Sequence, residues 1–334
     1  MILLMKSKRC WGEGKSGCNK ISMQTKIKGI LASLASALFL GMAPVFGKQA
    51  INQGMPPLEV VALRTFLATL LIFGVIFLFK RQYLYIYPAG LLGCLLAGGI
   101  NGLGSLLYYS ALGRINASVG QLLYSLYPLF VMLWMMVLDN QHPSRLTLIR
   151  LLMILPALFL LTQAPNQSID LLGVLMMLGA SILYALHLPI NQRVLYDMPA
   201  PTVTFYTLLA MSIVVIPAFL FSGNIIFTVS QEAMRAVLGL SLVTFFSRLT
   251  LFLGVKHLGG MQAALLGLGE LLVTLIFSYL WLEESLSLTQ WIGVGLLVAS
   301  LSLVASEKTT PQRLKTRWLN WLRPPEYPSD FPLP

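Results

Sequence analysis

Apolar runs of about twenty residues, each closed by a short polar or glycine/proline break, recur from residue 29 to residue 305. Ten such runs fall at about 29–49, 58–79, 88–110, 115–138, 146–163, 170–191, 202–221, 236–255, 260–282 and 288–305. Each is long enough as helix to cross a hydrocarbon core of about 30 Å. The pattern predicts an all-α integral membrane protein of ten transmembrane helices.

The runs are not independent of one another. With a constant offset of 142 and no gap, RINASVGQLLYSLYPLFVMLWMMVL (114–138) lies over KHLGGMQAALLGLGELLVTLIFSYL (256–280), and RTFLA (64–68) lies over YTLLA (206–210). The register matches Arg114 to Lys256, Leu126 to Leu268 and Val131 to Val273. Leucine matches are cheap in apolar helices, so the constant register carries the inference. Five spans in each half would make the second half enter the membrane from the opposite side, giving two inverted five-helix repeats. Inverted repeats are a common basis of alternating access, with a site near the midplane between the halves.

Composition agrees: 57% of residues are hydrophobic and 10% charged, against roughly 25% charged in soluble domains. The net charge of +11 raises the question of nucleic acid, which the positions of the basic residues answer. With the N-terminus cytoplasmic, 18 of the 23 Lys and Arg fall on the inner side, Lys48, Arg114 and Arg235 on the outer side, and Arg64 and Arg248 within spans. That asymmetry follows the positive-inside rule and puts both termini in the cytoplasm of a multi-pass plasma-membrane protein that binds no nucleic acid. Cys10, Cys18 and Cys94 show no metal-type spacing, so neither a disulfide nor a metal or cofactor site is expected. The first run is too long for a signal peptide and is followed by further spans, so it reads as the first helix, with Met23 as an alternative start just before it.

The candidate chemistry lies in polar residues embedded in spans. Glu270 sits near the centre of the ninth, where an ionised group costs roughly 2.5 to 3.5 kcal/mol. It is therefore expected to face protein or water. Gln262, Leu266, Glu270, Thr274 and Ser278 recur every four residues and predict a polar seam, while Gly267 and Gly269 read as close helix packing. Gln121, Tyr124, Ser125 and Pro128 form a comparable seam in the fourth span, Pro128 lying opposite Glu270 as a kink or gate. Asn101, Ser105 and Tyr108 share a face of the third span, and Ser181, Tyr184, His187 and Asn191 one of the sixth. The substrate-binding or coupling set is thus Glu270, Gln121, Tyr124, Asn101, Tyr108, Tyr184, Thr274 and Arg248. Arg64 lies close enough to the outer interface to snorkel. Pairing of Arg248 with Glu270 would hold the carboxylate ionised, whereas an unpaired Glu270 could carry a proton.

The tandem match of the fourth and ninth spans, the LYPLF segment with Pro128, and LGLGELLVTLIFSYLWLEESLSLTQWIGVGLLVASLSLV (266–304) resemble the EamA-type members of the drug/metabolite transporter superfamily. Glu270 and Glu284, with Glu283, stand where that pattern has its glutamates. The resemblance covers about residues 28 to 306 and departs in two places. Leu271 replaces the proline expected after the ninth-span glutamate, which implies a weaker kink there. Asp139, Asn140 and Gln141 stand where an acidic residue normally closes the fourth span. On this reading 1–27 is a disordered basic cytoplasmic tail, 28–164 the first EamA-like repeat, 169–306 the second, and 307–334 a cytoplasmic or interfacial tail whose Trp318, Trp321, Leu314 and Leu322 alternate with basic residues.

The resemblance implies a secondary active transporter, an exporter of a small metabolite, amino acid or drug-like solute. It would act without a cofactor, as a monomer or homodimer among membrane lipids, with a proton as candidate coupling ion. Glu270 is expected to receive a substrate amine or cation, or that proton. Two rival classes are an intramembrane enzyme, which the absence of any clustered nucleophile, base or metal-ligand pattern disfavours, and a non-transporting sensor or scaffold, which would normally carry an output domain.

Overall fold

The computed structural model describes residues 15–139, 170–222, 230–281 and 288–302, with isolated positions between 145 and 159. In chain order its helices are α1 (Lys15–Asn52), α2 (Pro57–Phe79), α3 (Pro88–Leu112), α4 (Ala117–Tyr124), α5 (Tyr127–Asp139), α6 (Leu171–Leu195), α7 (Ala200–Phe221), α8 (Gln231–Leu258), α9 (Gly260–Gly267), α10 (Gly269–Trp281) and α11 (Leu288–Ser302). A short 3₁₀ turn, Arg81–Leu84, joins α2 to α3. No strand occurs among the described residues. Eight helical stretches among these residues are long and apolar enough to span a bilayer, with α4 and α5 together forming one and α9 and α10 another. The expected fifth span lies largely outside the described residues, and the expected tenth is the 15-residue α11. Glu283, Glu284 and the C-terminal tail also lie outside them.

The surface is inverted relative to a soluble protein. Leu70, Phe73, Phe77, Leu103, Leu175, Ile213, Leu238, Leu242 and Phe246 are exposed, while Asn101, Gln121, Asn191, Thr202, Thr204, Thr274 and Glu270 are buried. Apolar side chains turned outward and polar ones turned inward suit hydrocarbon as the solvent. The chain is a multi-pass membrane protein.

Local signals set the helix ends. Pro57 and Pro88 open α2 and α3 at positions whose N–H would have no partner in the helix. The Asp170 carboxylate caps α6, accepting from the amides of Leu172 at 2.9 Å and Gly173 at 3.4 Å, and pairs with Arg114 at 3.1 Å. The hydrogen bond from Arg114 holds the Asp170 carboxyl below the usual carboxylate range, so the cap is in place at neutral pH and weakens only as pH falls through that lowered value. Gly259, at φ +90°, ends α8 in a conformation that other residues rarely adopt. The next amide, that of Gly260, donates to the buried Gln192 side chain at 2.7 Å.

The α1 helix packs against α8 and α10, α2 against α7 and α8, α3 against α6 and α7, and α4 and α5 against α6. The stretch Gly260–Phe277 is the most enclosed, with 72% of its span buried against 44 to 61% for the other seven. Close backbone contact makes this possible. A Cβ on Gly41 of α1 would strike the Glu270 backbone oxygen and lie 2.6 Å from the Val273 Cβ. The Thr274 hydroxyl donates across the same contact to the Gly41 carbonyl at 2.7 Å. Gly41→Ala is therefore expected to lower stability by about 1–3 kcal/mol through overpacking. Gly74→Ala, where nothing lies within 4 Å, should be neutral or mildly stabilising. Thermal unfolding of the two variants in detergent checks the contrast.

Candidate functional site

Two spans are interrupted. The turn at Ser125 and Leu126 separates α4 from α5, and the turn at Leu268 separates α9 from α10. The 142-residue offset places Leu126 over Leu268, so the breaks coincide in the two halves. Each break frees a backbone carbonyl, and each carbonyl is recaptured by a side chain. Pro128, the second residue of α5, has no N–H to offer the Tyr124 carbonyl four residues earlier, and the Ser181 hydroxyl donates to it at 3.0 Å. In the ninth span the Leu268 amide turns to Leu266, and the freed Ala264 carbonyl accepts from the Tyr127 hydroxyl at 3.0 Å. The ninth span is thus interrupted although Leu271 stands in place of a proline. Gly267 and Gly269 weaken the helix around Leu268, and Tyr127 rewards the break.

Beside these breaks lies a small cavity of about 30 Å³, lined from α1, α2, α3, α4, α6 and α8. Six of the sequence-predicted residues line it: Asn101, Tyr108, Gln121, Tyr124, Tyr184 and Arg248. Tyrosine rings form its wall, with Tyr108 edge-on to Tyr124 at 4.9 Å, Tyr124 at 5.2 Å from Tyr184, and Tyr184 edge-on to Tyr127 at 4.9 Å. Such edge-to-face pairs hold rings in fixed orientations. The Tyr108 hydroxyl donates to Gln121 Oε1 at 3.1 Å, and Asn101 Nδ2 to the Met211 sulfur at 3.5 Å.

Arg64 does not snorkel. It is 4% exposed, lines the cavity, donates to Ser105 Oγ at 3.2 Å and Thr244 Oγ1 at 3.4 Å, and lies 4.5 Å over the Tyr109 ring. The sequence reading missed it, together with Tyr109, because distance from a span end does not say which way a side chain points. The available signal was that Arg64, Thr65 and Thr69 cluster within a helix whose one other polar side chain is Glu59. Arg248, 5% exposed, stands 5.4 Å over Tyr184.

Glu270 is fully buried in the first turn of α10, where the helix dipole favours a carboxylate. It lies beside Gln121 and within electrostatic reach of Arg248, yet neither oxygen meets hydrogen-bond geometry with any group. The Arg248–Glu270 ion pair considered from sequence does not form. Glu270 sits behind the cavity wall rather than in the lining. Thr274 leaves the predicted cavity set, because its hydroxyl is spent on the Gly41 and Glu270 carbonyls. The seam from Gln262 to Ser278 is interrupted at Leu268, which leaves Gln262 half-buried on α9 while Glu270 and Thr274 are enclosed on α10; the side chain of Ser278 lies outside the described residues. In the sixth span His187 contacts the Tyr184 carbonyl through Nδ1, and Asn191 accepts from Thr207 at 3.2 Å, so both serve packing near the cavity rather than its lining.

An all-helical bundle with outward apolar faces, two interrupted spans and a polar cavity is that of a multi-pass membrane protein. The sequence profile of the EamA-like transporter family matches residues 27–163 and again 171–306. The chain belongs to that family. It is 25% identical over 158 residues to the uncharacterized transporter YwfM of Bacillus subtilis (strain 168), an alignment covering 47% of this chain and 52% of that protein. The match thus spans about half the length of this curated relative. A solved structure described as a crystal structure of protein shares the fold at a TM-score of 0.68 and 16% identity, over 83% of this chain and 96% of that one.

The Tyr127 hydroxyl fills the space above Gly267, where a Cβ would collide with it. Tyr127→Phe is expected to cost about 1–3 kcal/mol by leaving the Ala264 carbonyl unsatisfied. Gly267→Ala should be more damaging in the wild type than in the Tyr127→Phe background. A double-mutant cycle by thermal unfolding measures that coupling, and strict additivity would contradict the contact.

Proposed function

We propose that the protein is a secondary active transporter that moves a small solute through the tyrosine-lined cavity by alternating access, with Glu270 holding the coupling proton. The observation that carries this reading is the juxtaposition of a polar cavity, the two interrupted spans beside it, and a fully buried carboxyl group with no hydrogen-bond partner. Interrupted helices around a midplane site are how many transporters form a binding site that can open to either side. An enclosed carboxyl next to Gln121, which itself lines the cavity, can exchange a proton when the cavity hydrates.

The proposal includes two inverted halves of five spans. Its support is the pairing of helices: α1 with α8 is mirrored by α6 with α3, α2 with α8 by α7 with α3, and α1 with α10 by α6 with α5, as an exchange of halves requires. It includes cytoplasmic termini in the plasma membrane, supported by the basic asymmetry of the loops. Export is the direction that the family resemblance implies. Asn101, Tyr108, Gln121, Tyr124, Tyr184 and Arg248 are assigned to solute contact, and Pro128 to the hinge of the fourth span.

The test is flux into proteoliposomes of a pooled set of labelled amino acids and organic acids, under an imposed pH gradient. Wild type should drive accumulation above protein-free vesicles. Glu270→Gln should lose gradient-driven accumulation by at least about tenfold while keeping solute exchange, since a neutral amide replaces the proton carrier without changing shape. Gradient-driven accumulation unchanged in Glu270→Gln would remove the coupling role. No flux in wild type would favour a sensor or scaffold.

A further inference from the structure

We infer that the cavity is built for an oxyanion, and that the solute presents a carboxylate- or phosphate-type head group to Arg64 and Arg248. The inference deepens the transporter reading and rests on it for the claim that the bound anion is the transported species.

Both arginines line the same cavity, and both are at least nine-tenths buried. Neither forms an ion pair with a carboxylate among the described residues. Arg64 spends its two terminal nitrogens on the neutral hydroxyls of Ser105 and Thr244, and its Nε has no partner. Arg248 leaves both Nε and Nη1 without a partner. A guanidinium withdrawn from water with unused donors is costly, and a bound anion is the group that compensates both its charge and its hydrogen bonds. Glu270 can balance at most one of the two charges, so at least one positive charge is left for a ligand.

The geometry also favours an oxyanion. Tyr109 backs the Arg64 guanidinium at 4.5 Å and Tyr184 backs that of Arg248 at 5.4 Å, which restrains the two donor forks from behind. Guanidinium forks match carboxylate and phosphate oxygens two at a time. The Tyr109 hydroxyl, on the same wall, has no partner and supplies a further donor. A substrate amine, the ligand that an isolated reading of Glu270 suggests, would instead add a cation beside two arginines.

The experiment uses the full chain, purified in detergent, with probe families matched in shape and differing in charge: benzoate, phenylacetate, indole-3-acetate and phenylphosphonate, with the amide and amine counterparts of the three carboxylates. Thermal shift and calorimetric titration should show a response to at least one anion that its amide and amine lack. Arg64→Gln and Arg248→Gln should each weaken that anion roughly tenfold to hundredfold, since each removes a charged hydrogen-bond donor. Arg64→Lys and Arg248→Lys should retain part of the affinity because the charge remains. A parallel arm in nanodiscs of phosphatidylglycerol or phosphatidylcholine separates the sources of the anion. Stabilisation by phosphatidylglycerol that needs both arginines, without response to free anions, assigns the site to a lipid head group.

A response to amines or amides equal to that of anions, no response to any anion in either arm, or anion binding unchanged in both Gln variants overturns the inference. Failure of the transporter reading looks different. Anion binding without anion flux into proteoliposomes leaves the oxyanion site standing and removes transport. Flux of a neutral or cationic solute with no anion response does the reverse.

Discussion

Hydrocarbon cannot hydrogen-bond a free backbone carbonyl, and that constraint organises this molecule around two contacts. A helix may break inside the membrane only where protein groups take over the carbonyls released. Here Ser181 takes that of Tyr124, and Tyr127 takes that of Ala264. The second contact joins the start of α5 to α9, so one broken span stabilises the break in the other. Pro128 and the Gly267–Gly269 pair reach the same result by different chemistry: the proline withholds a donor, while the glycines lower the cost of leaving the helix and Gly267 makes room for the Tyr127 hydroxyl. Because the breaks are tied to each other, the cavity beside them has a fixed wall of tyrosine rings.

The same scarcity of water explains the buried charges. In hydrocarbon a charge is tolerated where protein shields it, and Arg64, Arg248 and Glu270 are all enclosed within the bundle. Two arginines on one cavity wall and a carboxyl behind it do not neutralise one another by contact. That arrangement is poor for stability, and the proposed binding and coupling roles would supply the missing partners. The close approach of α1 to α10 at Gly41 places the carboxyl: without it Glu270 could not lie at the most enclosed part of the bundle.

Most of the fold was legible because a membrane span is a length of apolar chain, and length survives without tertiary information. The repeat was legible because its register was constant, and the breaks at Leu126 and Leu268 fall on that register. Direction was less legible. Four-residue periodicity assigns a face only while the helix continues, so the break at Leu268 separated Gln262 from Glu270 and Thr274. Thr274 was read as a cavity group from its spacing, yet a threonine next to a glycine contact was taken by the neighbouring backbone. Arg64 was placed by depth alone, and its true environment depends on Ser105, Tyr109 and Thr244, which come from two other helices. Contacts of that kind have no trace in local pattern.

The central claim is that the tyrosine-lined cavity opens alternately to the two sides of the membrane. Ala43 lines it, is buried, and offers a small apolar position to probe. The direct measurement is the rate of modification of Ala43→Cys, in a background with Cys10, Cys18 and Cys94 replaced, by a membrane-impermeant thiol reagent applied to one face or the other of oriented vesicles. The account predicts reaction from both faces, with conditions that favour one access suppressing the other. Reaction from one face alone under every condition, or from neither, would contradict it.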